Sequence, residues 1–197
     1  SKGTRLIAVC GTHGKSSTTG MCVRLLIEAG KDPTVVVGTK LKELDGRNWR
    51  KGSSDLFLLE ACEYRRSFRY YAPTVILMTN VDGDHYDYYE SPEDYRSAFK
   101  DFLATLPEDG ALVAHMDDPD SRALAEASGK RTVDADRFPM ISLKTPGKHM
   151  QQNAQLALGP DGHFGRRGRD HAGAGRSAVS ASGSVDARGR QTREGCP

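Results

Sequence analysis

Three groups of residues in this chain have the types and spacing to do chemistry. The first lies in VCGTHGKSSTTG (residues 9–20), where Gly14, Lys15 and Ser16 follow a short apolar run. Glycines permit a tight turn. The start of a helix behind them presents free N–H groups, and its dipole favours an anion. Lys15 adds a point charge for the outer phosphates of a nucleotide, and Ser16 holds the hydroxyl position that ligates Mg²⁺. The usual phosphate loop, G-x-x-x-x-G-K-[ST], needs a glycine where this chain has Val9. A strand–glycine–helix junction with an incidental lysine is the plainer alternative, but a strand before the loop and a helix after it favour phosphate.

The second group is acidic. Glu60 closes the apolar run DLFLLE (55–60). Asn80, Asp82, Asp84, His85 and Asp87 crowd into TNVDGDHYDYY (79–89) after another apolar run. Carboxylates at strand ends are hard oxygen donors where a nucleotide's Mg²⁺ would be met; a solvated acidic loop is the alternative. The third group, in TPGKHMQQN (145–153), brings Gly147, His149 and Asn153 to the start of a helical pattern, and alone would be an ordinary turn.

Short strands and intervening helices must position these groups. RLIAVC (5–10), TVVVG (34–38), DLFLLE (55–60), TVILMTN (74–80), ALVAH (111–115) and RTVDA (131–135) read as strands. Their near-continuous apolar character predicts a mostly parallel sheet covered on both faces. Helices are predicted over 16–30, 91–107, 118–129 and 149–158. The clearest is SPEDYRSAFKDFLATLP (91–107). It has Ser91 as N-cap and Pro92 at N1, with Tyr95, Phe99, Phe102 and Leu103 on one face. The fold class is therefore α/β, a doubly wound and mostly parallel sheet, with sites at the carboxyl ends of the strands.

Composition excludes several classes. A net charge of +2 gives no bulk attraction to nucleic acid or to a membrane. No apolar run approaches the roughly 20 residues of a spanning helix. Cys10, Cys22, Cys62 and Cys196 form no metal spacing, which reads as reduced thiols in a cytoplasmic protein. The 37% hydrophobic content is low, and the deficit sits in residues 159–197. That segment is rich in Gly, Arg, Ala and Ser, a composition that does not bury a core. The expected folded domain is 1–158, with 159–197 a disordered or frame-shifted tail.

In this order and spacing, the loop at 11–16, Glu60, TNVDGDHYD (79–87) and GKHMQQN (147–153) resemble the central ATPase domain of the Mur ligases. That family shares G-T-x-G-K-[ST] without the earlier glycine, a Glu at a strand end, T-N-x-x-x-D-H-x-D and G-x-H-x-x-x-N. The resemblance covers about residues 5 to 158. GTHGKSSTTG, EACEYRRSF and TNVDGDHYDYY are most similar to the branch that adds L-alanine to UDP-N-acetylmuramate. The resemblance implies ATP and Mg²⁺ as cofactors and amide formation through an acyl phosphate. It implies that Lys15 binds the β- and γ-phosphates, cradled by the amides of Gly11, Thr12, His13, Gly14, Lys15, Ser16 and Ser17. Ser16 and Glu60 would hold a first Mg²⁺, His85 a second, with Asp84 behind it. Asn153 would read the adenine edge, with His149 beside the adenosine. Asn80 and Glu63 match family positions. Lys100 stands fifteen residues after His85, where some members carry a carbamylated lysine; on the helix pattern it reads as a solvated lysine after Phe99.

The resemblance also implies an N-terminal domain for the UDP-sugar and a C-terminal domain that brings the amino acid; neither is expected in this chain. With suitable codons, Val185–Pro197 read one base later resemble the start of that third domain, the basis for expecting a frame-shifted tail. Other readings kept open are a recycling ligase that joins a peptide to UDP-N-acetylmuramate, a folate-polyglutamate type enzyme (which the GTHGK loop disfavours), and a catalytically incomplete ATP-binding remnant.

Overall fold

The first strand of the chain becomes the centre of its sheet. The structure, a computed structural model, describes residues 3–83 and 87–164, with side chains to residue 160. Seven strands are present among these residues: β1 (Arg5–Cys10), β2 (Thr34–Leu41), β3 (Arg47–Arg50), β4 (Leu56–Glu60), β5 (Val75–Met78), β6 (Ala111–Ala114) and β7 (Thr132–Asp134). They form one sheet in the order β3-β2-β4-β1-β5-β6-β7, and every pairing is parallel except β2 with β3. Four helices cover it: α1 (Lys15–Glu28), α2 (Pro92–Ala104), α3 (Pro119–Ser128) and α4 (Lys148–Phe164).

The two-residue period of the strands sorts the core into two layers. Ile7, Val9, Val75, Leu77 and Val113 pack with Val23 and Leu26 of α1 and Leu156 of α4. Ala8, Cys10, Ile76, Met78, Leu112 and Ala114 pack with Tyr95, Phe99, Phe102 and Leu103 of α2 and Leu124 of α3. Both faces of the central strands are thus buried, which is why they read as unbroken apolar runs.

The expected elements are present with ends shifted by a few residues, and two features differ from expectation. The strand β3 was not anticipated. Its residues, RNWR, are polar and mostly exposed, and its place is fixed by an antiparallel hairpin with β2. The turn contains Asp45 and Gly46, both at positive φ (54° and 74°), the conformation that Asp-Gly pairs favour in hairpins. The helix α4 runs to Phe164, six residues past the expected domain end at Leu158. Asp84 and His85 lie outside the described residues, as does the chain from residue 165, so the tail and the second metal ligand carry no structural account.

The predicted cap of α2 is present. Ser91 Oγ accepts from the Asp94 amide at 3.0 Å, and Pro92 follows at the first helical position. Lys100 is exposed on this helix, as its position after Phe99 implies.

Candidate functional site

The carboxyl ends of β4, β1 and β5 lie side by side, and the loop leaving each carries predicted site residues. From β1 the chain turns through Gly11 (φ 131°) and Gly14 (φ 83°) into α1. Both glycines are forced by neighbours as well as by φ. A β-carbon on Gly11 would stand 2.0 Å from Thr79 Oγ1, and one on Gly14 would stand 2.6 Å from Asn153 Oδ1. Asn153 is buried on α4 and packs directly against the loop. His149, one turn earlier in α4, is exposed.

The loop is stitched to the segment after β5. The Thr12 amide donates to the Asn80 carbonyl at 2.9 Å, and the His13 amide to Asn80 Oδ1 at 2.9 Å. Asn80 Nδ2 returns a bond to the His13 carbonyl at 3.1 Å. The buried Thr12 hydroxyl lies 2.9 Å from the Tyr95 hydroxyl and accepts from the Asp82 amide at 3.0 Å. The amides of Thr12 and His13, expected among those facing phosphate, are therefore occupied within the protein. The first intrahelical bond at this end runs from Thr18 N to Gly14 O, so the amides of Lys15, Ser16 and Ser17 have no intrahelical acceptor and point along the helix axis into the loop.

Lys15 is folded back. Its Nζ donates to the carbonyls of Gly11 (2.6 Å) and Thr12 (3.0 Å) and to Glu63 Oε1 (3.0 Å). The Glu63 side chain is fully buried and that of Lys15 is 14% exposed. A buried carboxylate needs a cation close by, and Lys15 supplies it. Ser16 Oγ donates to Glu60 Oε1 at 3.1 Å, while Glu60 Oε2 accepts from the Gly38 amide at 3.1 Å. A hydroxyl and a carboxylate from two different strand ends thus converge beside the start of α1. Among the described residues no group of three or more His, Cys, Asp and Glu is placed to hold a metal. The Ser16–Glu60 pair is the part of the expected Mg²⁺ set that lies within them, and two hard oxygen donors suit that ion. Cys10, at the end of β1, is buried, and burial pushes its thiol well above the usual range, which makes it inert.

Three arrangements were not legible in the sequence. Tyr89 donates its hydroxyl to the Glu63 carbonyl, and burial pushes its phenol up to about 12. Arg65 and Arg66 both adopt left-handed backbone (φ 52° and 55°), and Arg66 reaches Asp94, Ser97 and Asp101 of α2. His115, buried at the end of β6, lies 2.6 Å from Asp136 Oδ1 by one ring nitrogen and 3.0 Å from the Gln152 carbonyl by the other. The last contact ties the sheet to α4 one residue before Asn153.

The chain matches a known family. Residues 9–140 match the Mur ligase middle domain. The chain belongs to the Mur ligase family. Curated proteins named UDP-N-acetylmuramate–L-alanine ligase are similar to it. The protein from Nocardioides sp. is 42% identical over 164 residues, covering 79% of this chain and 36% of that protein. The one from Arthrobacter sp. is 47% identical over 184 residues, covering 79% and 39%. This Mur ligase chain thus spans well under half the length of these relatives. Among solved structures, the UDP-N-acetylmuramate-alanine ligase of Thermotoga maritima superposes with a TM-score of 0.67 at 26% identity, covering 83% of this chain and 42% of that one. A second Mur ligase from the same organism, MurF in complex with ADP, gives 0.65 at 16% identity over 83% and 46%, which is likeness of fold. No described helix is long and apolar enough to cross a membrane.

Proposed function

We propose that this chain is the ATP-binding part of a ligase that joins L-alanine to UDP-N-acetylmuramate in peptidoglycan precursor synthesis, working in the cytoplasm where its nucleotide substrates are made. The observation that carries the reading is the meeting of Ser16 and Glu60 at 3.1 Å beside Lys15, at a helix start whose preceding glycine is left-handed. The relatives at 42% and 47% identity are UDP-N-acetylmuramate–L-alanine ligases by name, which supports the substrate pair.

In this reading the amides of Lys15, Ser16 and Ser17 receive the phosphates of ATP. Lys15 exchanges the Gly11 and Thr12 carbonyls for phosphate oxygens, while Glu63 remains close enough to guide its ammonium. Ser16 and Glu60 would hold Mg²⁺, which would supply charge neutralisation for phosphoryl transfer. His85 would add a second metal ligand. A substrate carboxylate oxygen attacks the γ-phosphorus, the bond to the β-phosphate oxygen breaks, and ADP leaves. The amine of L-alanine then attacks the acyl carbon of the acyl phosphate. Inorganic phosphate departs with the bonding pair, and the amine loses its proton. Asn153, packed on Gly14, would meet the adenine, with His149 at the rim.

Calorimetry with MgATP tests the first half of this reading. Saturable binding is expected, lost in Lys15→Ala and Mg²⁺-insensitive in Glu60→Gln; absence of binding by the wild-type chain overturns it. ADP release that depends on both UDP-N-acetylmuramate and L-alanine tests the second half.

A further inference from the structure

Tyr89 and Tyr95 belong to the core layer that lies under the loops of the site. Both are 1% exposed. Their rings pack edge to face, with centroids 4.9 Å apart and planes at 87°. Each uses its hydroxyl on a different loop. Tyr95, in the first turn of α2, reaches Thr12 Oγ1 of the phosphate loop at 2.9 Å. The same threonine oxygen accepts the Asp82 amide, so one hydroxyl joins the loops after β1 and β5. Tyr89 donates to the backbone carbonyl of Glu63, whose carboxylate holds Lys15. Arg66 lies 5.9 Å from the Tyr89 ring and is anchored on Asp94, the residue before Tyr95. The loops after β1, β4 and β5 are thus all braced against the first turn of α2.

We infer that Tyr89 and Tyr95 are positioning residues of the nucleotide site: Tyr95 sets the phosphate loop through Thr12, and Tyr89 sets Lys15 through Glu63. This rests on the nucleotide reading above. Their aromatic rings are core, but a core role needs no hydroxyl, and phenylalanine would fill the same space. Buried hydroxyls that reach specific groups of the site's loops point to a geometric task.

The test is Tyr95→Phe in the full chain, compared with Thr12→Val and the double variant. Hydrogen exchange of the Asp82 amide is the first readout and needs no nucleotide. It is expected to speed up in Tyr95→Phe while amides in the middle of β1 stay unchanged. Unchanged exchange at Asp82 overturns the inference alone. The second readout is affinity. MgATP binding is expected to weaken about threefold to tenfold, the usual worth of one neutral hydrogen bond. Adenosine binding should stay the same, because only the phosphate loop is disturbed. Tyr95→Phe should add nothing to the loss in Thr12→Val. Equal weakening for adenosine, or additive losses, would mean a general packing role and would overturn it. A wild-type chain that binds no MgATP overturns the nucleotide reading and this inference together. Tyr89→Phe provides the parallel case, with the loss expected to vanish when Glu63 is already Gln.

Discussion

Lys15 shows how one side chain can serve both stability and binding. Its ammonium compensates the fully buried Glu63, and removing one partner of such a pair costs about 3 kcal/mol or more. Lys15→Met is therefore expected to lower the urea midpoint clearly. Lys15→Met with Glu63→Gln should recover most of that stability yet still fail to bind MgATP. Gly11 is constrained by space: its β-carbon would strike Thr79 Oγ1, so Gly11→Ala should cost about 1–3 kcal/mol in a denaturant titration. Asp136 gives a pH signature. Burial raises its carboxyl, but the Asp117 amide and His115 outweigh this and hold it below its ordinary value of 3.8. A depressed carboxyl stabilises the fold above its unfolded value, and that contribution is lost as pH falls through the folded one. The stability gap between wild type and Asp136→Asn should therefore be full near neutrality and shrink below about pH 4. At this scale the sequence was only partly legible. Lys15, Ser16 and Glu60 could be picked by type and strand position. The use of Asn80 as a brace for the loop, and of His115 as a link between β6 and α4, depends on partners dozens of residues away. A histidine at the end of ALVAH gives no local sign of them.

Among the elements, α2 was the easiest to read, and its first turn is bonded to the loops after β1 and β4. Its cap, its proline and its apolar stripe are all local signals, and all are realised. Ser91→Ala should cost about 1 kcal/mol of stability, measured by thermal or urea unfolding, through loss of the bond to Asp94 N. Because Asp94 also holds Arg66, the loop after β4 should loosen with it. The strand β3 was missed for a physical reason. An edge strand with solvent on its flank needs no apolar alternation, and RNWR has none. The Asp45-Gly46 pair was the available signal, since two successive left-handed residues specify a tight hairpin. The consecutive left-handed Arg65 and Arg66 had no such signal, because arginine does not favour that region. Arg66 in this conformation reaches Asp94, Ser97 and Asp101 of α2.

At the scale of the molecule, the doubly wound sheet followed from its apolar runs. The antiparallel edge is where periodicity stopped being informative. The family match spans residues 9–140, which hold the phosphate loop, Glu60 and the segment after β5. The loop at 11–16, Glu60 and Asn80 fall at neighbouring strand ends of one sheet, and the sheet's own order brings them together, while Asn153 arrives on α4. Ligand linkage gives a prediction here. MgATP at about 100 times its dissociation constant should stabilise the chain by about 2.7 kcal/mol, seen as a rise in melting temperature that Glu60→Gln reduces.

The central place of β1 has a consequence for synthesis. Its neighbours β4 and β5 lie some fifty and seventy residues further along the chain. The phosphate loop leaves a ribosome some seventy residues ahead of the segment after β5, yet its shape depends on Thr79, Asn80 and Asp82. A nascent chain halted before residue 82 holds the whole loop motif and none of the loop's form. The binding site therefore matures late, and its earliest residues must wait, with their apolar strand unpaired, for most of the sheet to be made.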